Sequence, residues 1–279
     1  MSYIPRYITV WWTRSPVPPT SPPGHAPASP LTRRAFGWGA CVTAFLALAA
    51  PLRAEQILIL AAASTTDAIS EIISVYESAT GAPVAASFGA SSALARQVDS
   101  GAPAHLYLSA APRWMDYLTD AGAILADSRV DLLANRLALV APAESGVIEI
   151  AFDRPLPLGD SRLAVGDPDH VPAGLYAKAA LQHLGLWDAA VPRLVRSQNV
   201  RAALVLVERG EVPLGVVYAT DARVTDGVRV VSLFPADSHP PIRYPLAMIT
   251  DSPEARAFYD FLLRDQAGAI FARHGFAKP

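Results

Sequence analysis

Ala61-Ala62-Ala63-Ser64-Thr65-Thr66-Asp67 and Ser87-Phe88-Gly89-Ala90-Ser91-Ser92-Ala93 decide how this chain folds. Each closes an apolar run that reads as a strand and opens a stretch of helical periodicity. Both junctions are made of small residues and hydroxyls, with almost no charge. The first turn of a helix exposes unpaired backbone N–H groups and a partial positive charge. Two such starts side by side form a receptor for a small oxyanion that needs no Lys or Arg.

Working outward, short apolar runs alternate with longer helical periods, the signature of an α/β architecture. Gln56–Ala61 reads as a strand and Ser64–Ala79 as a helix that buries Ile69, Ile72, Ile73 and Tyr76 and stops at Gly81. Val84–Phe88, Ser91–Ser100 and Leu106–Ser109 continue as strand, helix and strand, and Pro112 suits the first position of the next helix. Leu132–Pro142 reads as one long apolar strand that begins a second lobe. Arg162–Val165, Leu214–Tyr218 and Val228–Leu233 read as its further strands. Ala173–Leu184 reads as a helix, and so does the segment capped by Asn199 and running to Arg209. Phe234–Pro241 has linker composition, Tyr244–Ile249 reads as a strand, and Pro253–His274 as one broken helix or two short ones docking on the first lobe. The expected division is residues 55–134 with 241–279 as lobe I and 135–240 as lobe II, the ligand lying between strand ends.

The first 54 residues differ from the rest. They hold five Arg, nine of the 25 prolines and no Asp or Glu. Leu31-Thr32-Arg33-Arg34-Ala35-Phe36, an apolar stretch from Phe36 to Ala50, and Pro51-Leu52-Arg53-Ala54 have the anatomy of an export signal of the twin-arginine kind, cut after Ala54. The apolar stretch is short for a membrane span. The only cysteine, Cys41, lies in this leader, so a mature chain would have no disulfide and no thiolate chemistry. Removing the leader leaves 18 basic against 25 acidic residues, a formal charge near −7. That balance argues against a nucleic-acid partner, and it requires local dipoles rather than the global field to hold an anion.

Five positions carry the candidate site. Ser64, with Asp67 three residues on, fits the short capping-box pattern, so its hydroxyl either caps its own helix or faces a cleft. Ser91 and its neighbour Ser92 carry the same alternative. Ala173, at the end of Gly166-Asp167-Pro168-Asp169-His170-Val171-Pro172-Ala173-Gly174, and Val200, just past Asn199, offer backbone N–H groups at helix starts. Tyr218 ends an apolar strand, where its hydroxyl serves either a structural partner or a ligand oxygen.

Taken in order and spacing, Ala61-Ala62-Ala63-Ser64, Ser91-Ser92-Ala93-Leu94-Ala95-Arg96-Gln97, the 166–174 loop, Asn199-Val200-Arg201 and Gly215-Val216-Val217-Tyr218 resemble the periplasmic molybdate-binding proteins of ABC transporters, over essentially all of residues 55–279. The resemblance implies a two-lobed periplasmic-binding-protein fold of type II, with a mixed sheet flanked by helices in each lobe. It implies molybdate or tungstate held by the serines Ser64 and Ser91, the amides of Ala173 and Val200, and the Tyr218 hydroxyl. It implies no cofactor, no catalytic residue, a monomer in the periplasm, and delivery to a membrane permease with its ATPase. One departure is His105, where relatives usually carry Asp; it falls at a strand start away from the ligand.

Hydrogen-bond chemistry supplies the selectivity. Molybdate and tungstate are dianions with no proton to donate, so a donor-only cavity suits them and mismatches a protonated phosphate. Sulfate has the same charge and shorter bonds, so size alone can reject it. A binding protein for sulfate or another oxyanion is one rival. A serine hydrolase is another, although neither serine sits in a G-x-S-x-G elbow and no histidine pairs with one in sequence. No His or carboxylate cluster has the spacing of a metal-cation site.

Overall fold

The computed structural model describes residues 56–147 and 149–279; the leader and its cleavage site lie outside these residues. The chain opens with β1 (Ile57–Ala62), a 3-10 turn (Ala63–Thr65), α1 (Thr66–Thr80), β2 (Val84–Gly89), α2 (Ser91–Asp99), β3 (Leu106–Leu108), α3 (Pro112–Asp120) and β4 (Val130–Ala134). It continues through β5 (Leu137–Pro142), β6 (Leu163–Gly166), α4 (Pro172–His183), α5 (Trp187–Ala190), β7 (Leu194–Ser197), α6 (Val200–Glu208), β8 (Leu214–Tyr218) and β9 (Val228–Leu233). It ends with β10 (Arg243–Met248), α7 (Pro253–Leu262) and α8 (Asp265–Arg273).

Two five-stranded sheets result, in the orders β2-β1-β3-β10-β4 and β7-β6-β8-β5-β9. In each, four strands point the same way and one, β10 in the first sheet and β5 in the second, runs antiparallel to both its neighbours, so both sheets are mixed. We call each sheet with its helices a lobe. The α/β class is that expected from the alternation of apolar runs and helical periods, and the paired mixed sheets are those the family resemblance implies.

The elements form for local reasons. In α1, Ile69, Ile72 and Tyr76 are buried at helical spacing against the first sheet, and Ile73 is half-buried beside them. Gly81, at φ 71°, ends the helix in the left-handed conformation that a side chain would resist. In α3, Pro112 occupies the first turn and Trp114, Met115 and Leu118 face inward.

One expectation needs correction, and one strand went unread. Leu132–Pro142 is two strands in different sheets, parted at Asn135 and Arg136. The apolar run is continuous in composition but crosses between lobes, and the polar pair marks the crossing. Leu194–Ser197, not anticipated, forms the edge strand β7 beside β6; its short half-exposed pattern leaves little apolar signal. The segment Pro253–His274 resolves into two helices, parted at Leu263-Arg264.

Candidate functional site

The carboxyl ends of β1, β2 and β3 and the starts of the helices that follow meet the corresponding ends of β6, β7 and β8 around one small cavity. Its wall consists of Ala62–Ser64, Gly89–Ser91 and Ala110 from the first lobe, and Val171–Ala173, Asn199–Val200 and Tyr218 from the second. The space open to the centre of a water-sized sphere is about 10 Å³, so the cavity is narrow and suits only a small occupant. No Lys, Arg, His, Asp or Glu is among the lining residues. Among the described residues, no group of three His, Cys, Asp or Glu could hold a metal ion.

All five residues singled out in the sequence line this cavity, although they are spread over 155 positions of chain. Each is buried: Ser64, Ser91, Ala173, Val200 and Tyr218 expose 4 % of their surface or less.

The capping-box expectation for Ser64 fails. A 3-10 turn intervenes before α1, neither start has a side-chain cap, and Ser64 Oγ lies 2.9 Å from Tyr244 Oη instead. Asp67 turns away to pair with Arg201 at 2.6 Å. Ser91 does not cap α2 either. It is the first helical residue, and its Oγ accepts from the N–H of Ala110 at 2.9 Å, which leaves its proton free for the cavity. The neighbouring Ser92 turns to His170 Nδ1 at 3.1 Å.

Helices α2 and α4 begin without a side-chain cap, so their first N–H groups have no acceptor within the protein's own helix. At α6, Asn199 accepts from the N–H of Ala202, and the N–H of Val200, nearer the end, is left over. A bound anion would serve as the missing cap of α2 and α4 and accept from the remaining N–H of Val200.

Close packing sets where these N–H groups point. A Cβ on Gly174 would fall 2.0 Å from the carbonyl oxygen of Gly166, so α4 can start against the end of β6 only with glycine there. This contact explains the two glycines that bracket the 166–174 loop.

Tyr218 supplies the sharpest observation. Three buried side-chain polar atoms among the described residues lack a hydrogen-bond partner, and of these only Tyr218 Oη belongs to a residue lining this cavity. Burial pushes its pKa well above the ordinary tyrosine value, so it stays a neutral donor. An unpartnered buried hydroxyl costs free energy unless something arrives to accept from it.

Sequence reasoning missed the residues behind the wall. Asn135 and Tyr244 support Ser64. Arg201 bridges Asp67 of the first lobe and Asp221 of the second, each at 2.6 Å, and donates to the Ser64 carbonyl at 3.4 Å. The cation is thus neutralised by carboxylates behind the cavity rather than aimed into it. Asp221 is fully buried, and desolvation raises its pKa from 3.8 to about 6 against the pull of Arg201. Trp114 Nε1 donates to the His170 carbonyl at 3.0 Å, a second tie across the cleft. The polar Asn135-Arg136 pair inside an apolar run was the one available signal for this layer. His105 lies just before β3 outside the cavity wall, with Nδ1 accepting from the N–H of Leu58 at 3.0 Å.

Two mixed α/β lobes with a small uncharged cavity at their strand ends define a solute receptor, and the chain belongs to the family described as bacterial extracellular solute-binding protein, which it matches over residues 57–277. Its relatives narrow the class. It is 48 % identical over 227 residues to the molybdate-binding protein ModA of Escherichia coli (strain K12), covering 79 % of this chain and 88 % of that one. It is 43 % identical over 228 residues to ModA of Haemophilus influenzae, covering 80 % and 90 %. Among solved structures it is similar in fold to the periplasmic molybdate-binding protein of Azotobacter vinelandii, with a TM-score of 0.70, 24 % identity, and coverage of 80 % of this chain and 99 % of that one.

Proposed function

We propose that this chain captures molybdate, and tungstate equally well, outside the cytoplasm and hands it to a membrane ABC permease with its ATPase. The observation that carries the reading is the buried, partnerless Tyr218 hydroxyl facing a cavity walled by donors. Ser64, Ser91 and Tyr218 would donate from side chains, and Ala173 and Val200 from the backbone. The relatives' molybdate-binding names support the same choice.

The chemistry follows from the donor set. A dianion without protons accepts from every group and leaves none unsatisfied. A protonated oxyanion would set its own O–H against another donor, a costly mismatch in a buried site. Donors held within about 2.7–3.2 Å of one tetrahedron of oxygens would not all reach a smaller one, which disfavours sulfate. Closure of lobe II (135–240) on lobe I (55–134 and 241–279) would complete the shell.

In this reading the protein is a monomeric receptor rather than an enzyme. The hydrolase alternative loses its support because Ser64 and Ser91 take Tyr244 Oη and the Ala110 N–H as partners, not a histidine. Residues 1–54 act as an export leader of the twin-arginine kind.

Thermal unfolding in molybdate, tungstate, sulfate and phosphate tests the proposal. At 100 times its dissociation constant a ligand stabilises the folded state by about 2.7 kcal/mol. Molybdate and tungstate should both raise the melting temperature, and sulfate and phosphate at equal concentration should not. A rise with sulfate alone would make the chain a sulfate receptor.

A further inference from the structure

Among the hydrogen bonds behind the cavity, one chain has every proton assigned by its neighbours. The N–H of Arg136 donates to Asn135 Oδ1 at 2.8 Å. That contact fixes which end of the amide is which, because a backbone N–H can only donate. Asn135 Nδ2 therefore faces Thr220 Oγ1 at 2.9 Å and Tyr244 Oη at 3.1 Å, and donates to both. With its oxygen already accepting from Asn135, the fully buried Tyr244 directs its own proton to Ser64 Oγ at 2.9 Å. Ser64 then accepts from Tyr244, and its own proton is left for the cavity.

We propose that Asn135, which never touches the ligand, is the specificity-determining positioning residue that makes Ser64 a donor rather than an acceptor. The inference rests on the reading of the cavity as an oxyanion site and goes beyond it by naming what sets the hydrogen-bond sign. The two serines differ in this respect. Ser91 has its sign set by the backbone N–H of Ala110, which no side-chain substitution removes. Ser64 has its sign set by side chains and is reversible. An aspartate at position 135 would present an oxygen where Nδ2 stands. Tyr244 would then donate to it, Ser64 would donate to Tyr244, and the Ser64 lone pair would face the cavity, ready for an oxyanion that carries a proton. Asn135 also sits where the chain crosses between lobes and holds Thr220 of the second lobe and Tyr244 of the first. The same amide that sets the sign thus joins the two lobes where the chain crosses between them.

The test measures dissociation constants for molybdate, sulfate and phosphate by calorimetry at about pH 8. There inorganic phosphate carries the same double charge as molybdate but keeps one proton. Molybdate binding by the unsubstituted protein is the prior requirement, and its failure would sink the function proposed above rather than this inference. In Asn135→Asp the new charge repels all three dianions alike, so the ratios isolate hydrogen-bond direction. The phosphate-to-molybdate ratio of dissociation constants should fall at least tenfold, while the sulfate-to-molybdate ratio stays within about threefold. Tyr244→Phe cuts the chain without adding charge. It should lower the phosphate ratio as well, and adding Asn135→Asp to it should change that ratio no further. Unchanged phosphate ratios in both single variants, or a sulfate ratio that falls in step with phosphate, would overturn the proposal. If Asn135→Asp does not fold, Tyr244→Phe alone decides by the same criterion.

Discussion

Tyr218 exposes 1 % of its surface and buries a hydroxyl with no protein partner, an arrangement that costs stability until a ligand oxygen accepts from it. Tyr218→Phe should therefore leave the melting temperature of the ligand-free protein unchanged or higher while weakening molybdate binding, both read from the same preparation by scanning and titration calorimetry. Ser91→Ala removes a hydrogen bond to a charged ligand, worth about 1.5–3 kcal/mol, so its affinity should fall roughly tenfold to a hundredfold. Undiminished affinity would remove Ser91 from the shell. At this scale the five cavity residues were legible because small residues and hydroxyls recur at helix starts. What Ser64 bonds to was not. A capping box is a local pattern, whereas Tyr244 lies 180 residues away and comes near only through the antiparallel return of β10 to β3.

Among the elements, α4 is the one whose placement depends on a single absent atom. The carbonyl of Gly166 occupies the position of a Cβ on residue 174. Gly174→Ala would force α4 off β6 and carry the Ala173 N–H with it. The expected result is a loss of about 3 kcal/mol in urea unfolding together with a marked loss of molybdate affinity. A variant as stable as the parent would show that the helix start yields easily. The two glycines bracketing the loop could be read from the sequence, but the contact between them could not. The break at Asn135-Arg136 was hidden for a related reason. Val130–Ala134 and Leu137–Pro142 are both apolar, and only the sheet orders reveal that they belong to different lobes.

For the molecule as a whole, the ties across the cleft include Arg201 to Asp67, Trp114 to the His170 carbonyl, and Ser92 to His170. Asp221 anchors the first of these from beneath, and its raised pKa has a defined sign. The folded state holds its proton up to about pH 6, whereas the unfolded chain releases it near 3.8. Between those values the folded state binds more protons, so this group's contribution falls as pH rises. The total is on the order of 3 kcal/mol, complete above about pH 6 and absent below about pH 4. Urea unfolding from pH 4 to 7 should show the parent losing stability relative to Asp221→Asn across that window. A parallel pair of curves would contradict the shift.

The wall of the cavity comes from both lobes, so its shape depends on their separation as much as on the residues that line it. Parting the lobes breaks Arg201–Asp67 and Trp114–His170 and dismantles that wall in the same movement. Release is thereby coupled to the cross-cleft ties, whatever the cargo's chemistry. A transporter seeking to unload the receptor must act on the cross-cleft ties and not on the anion.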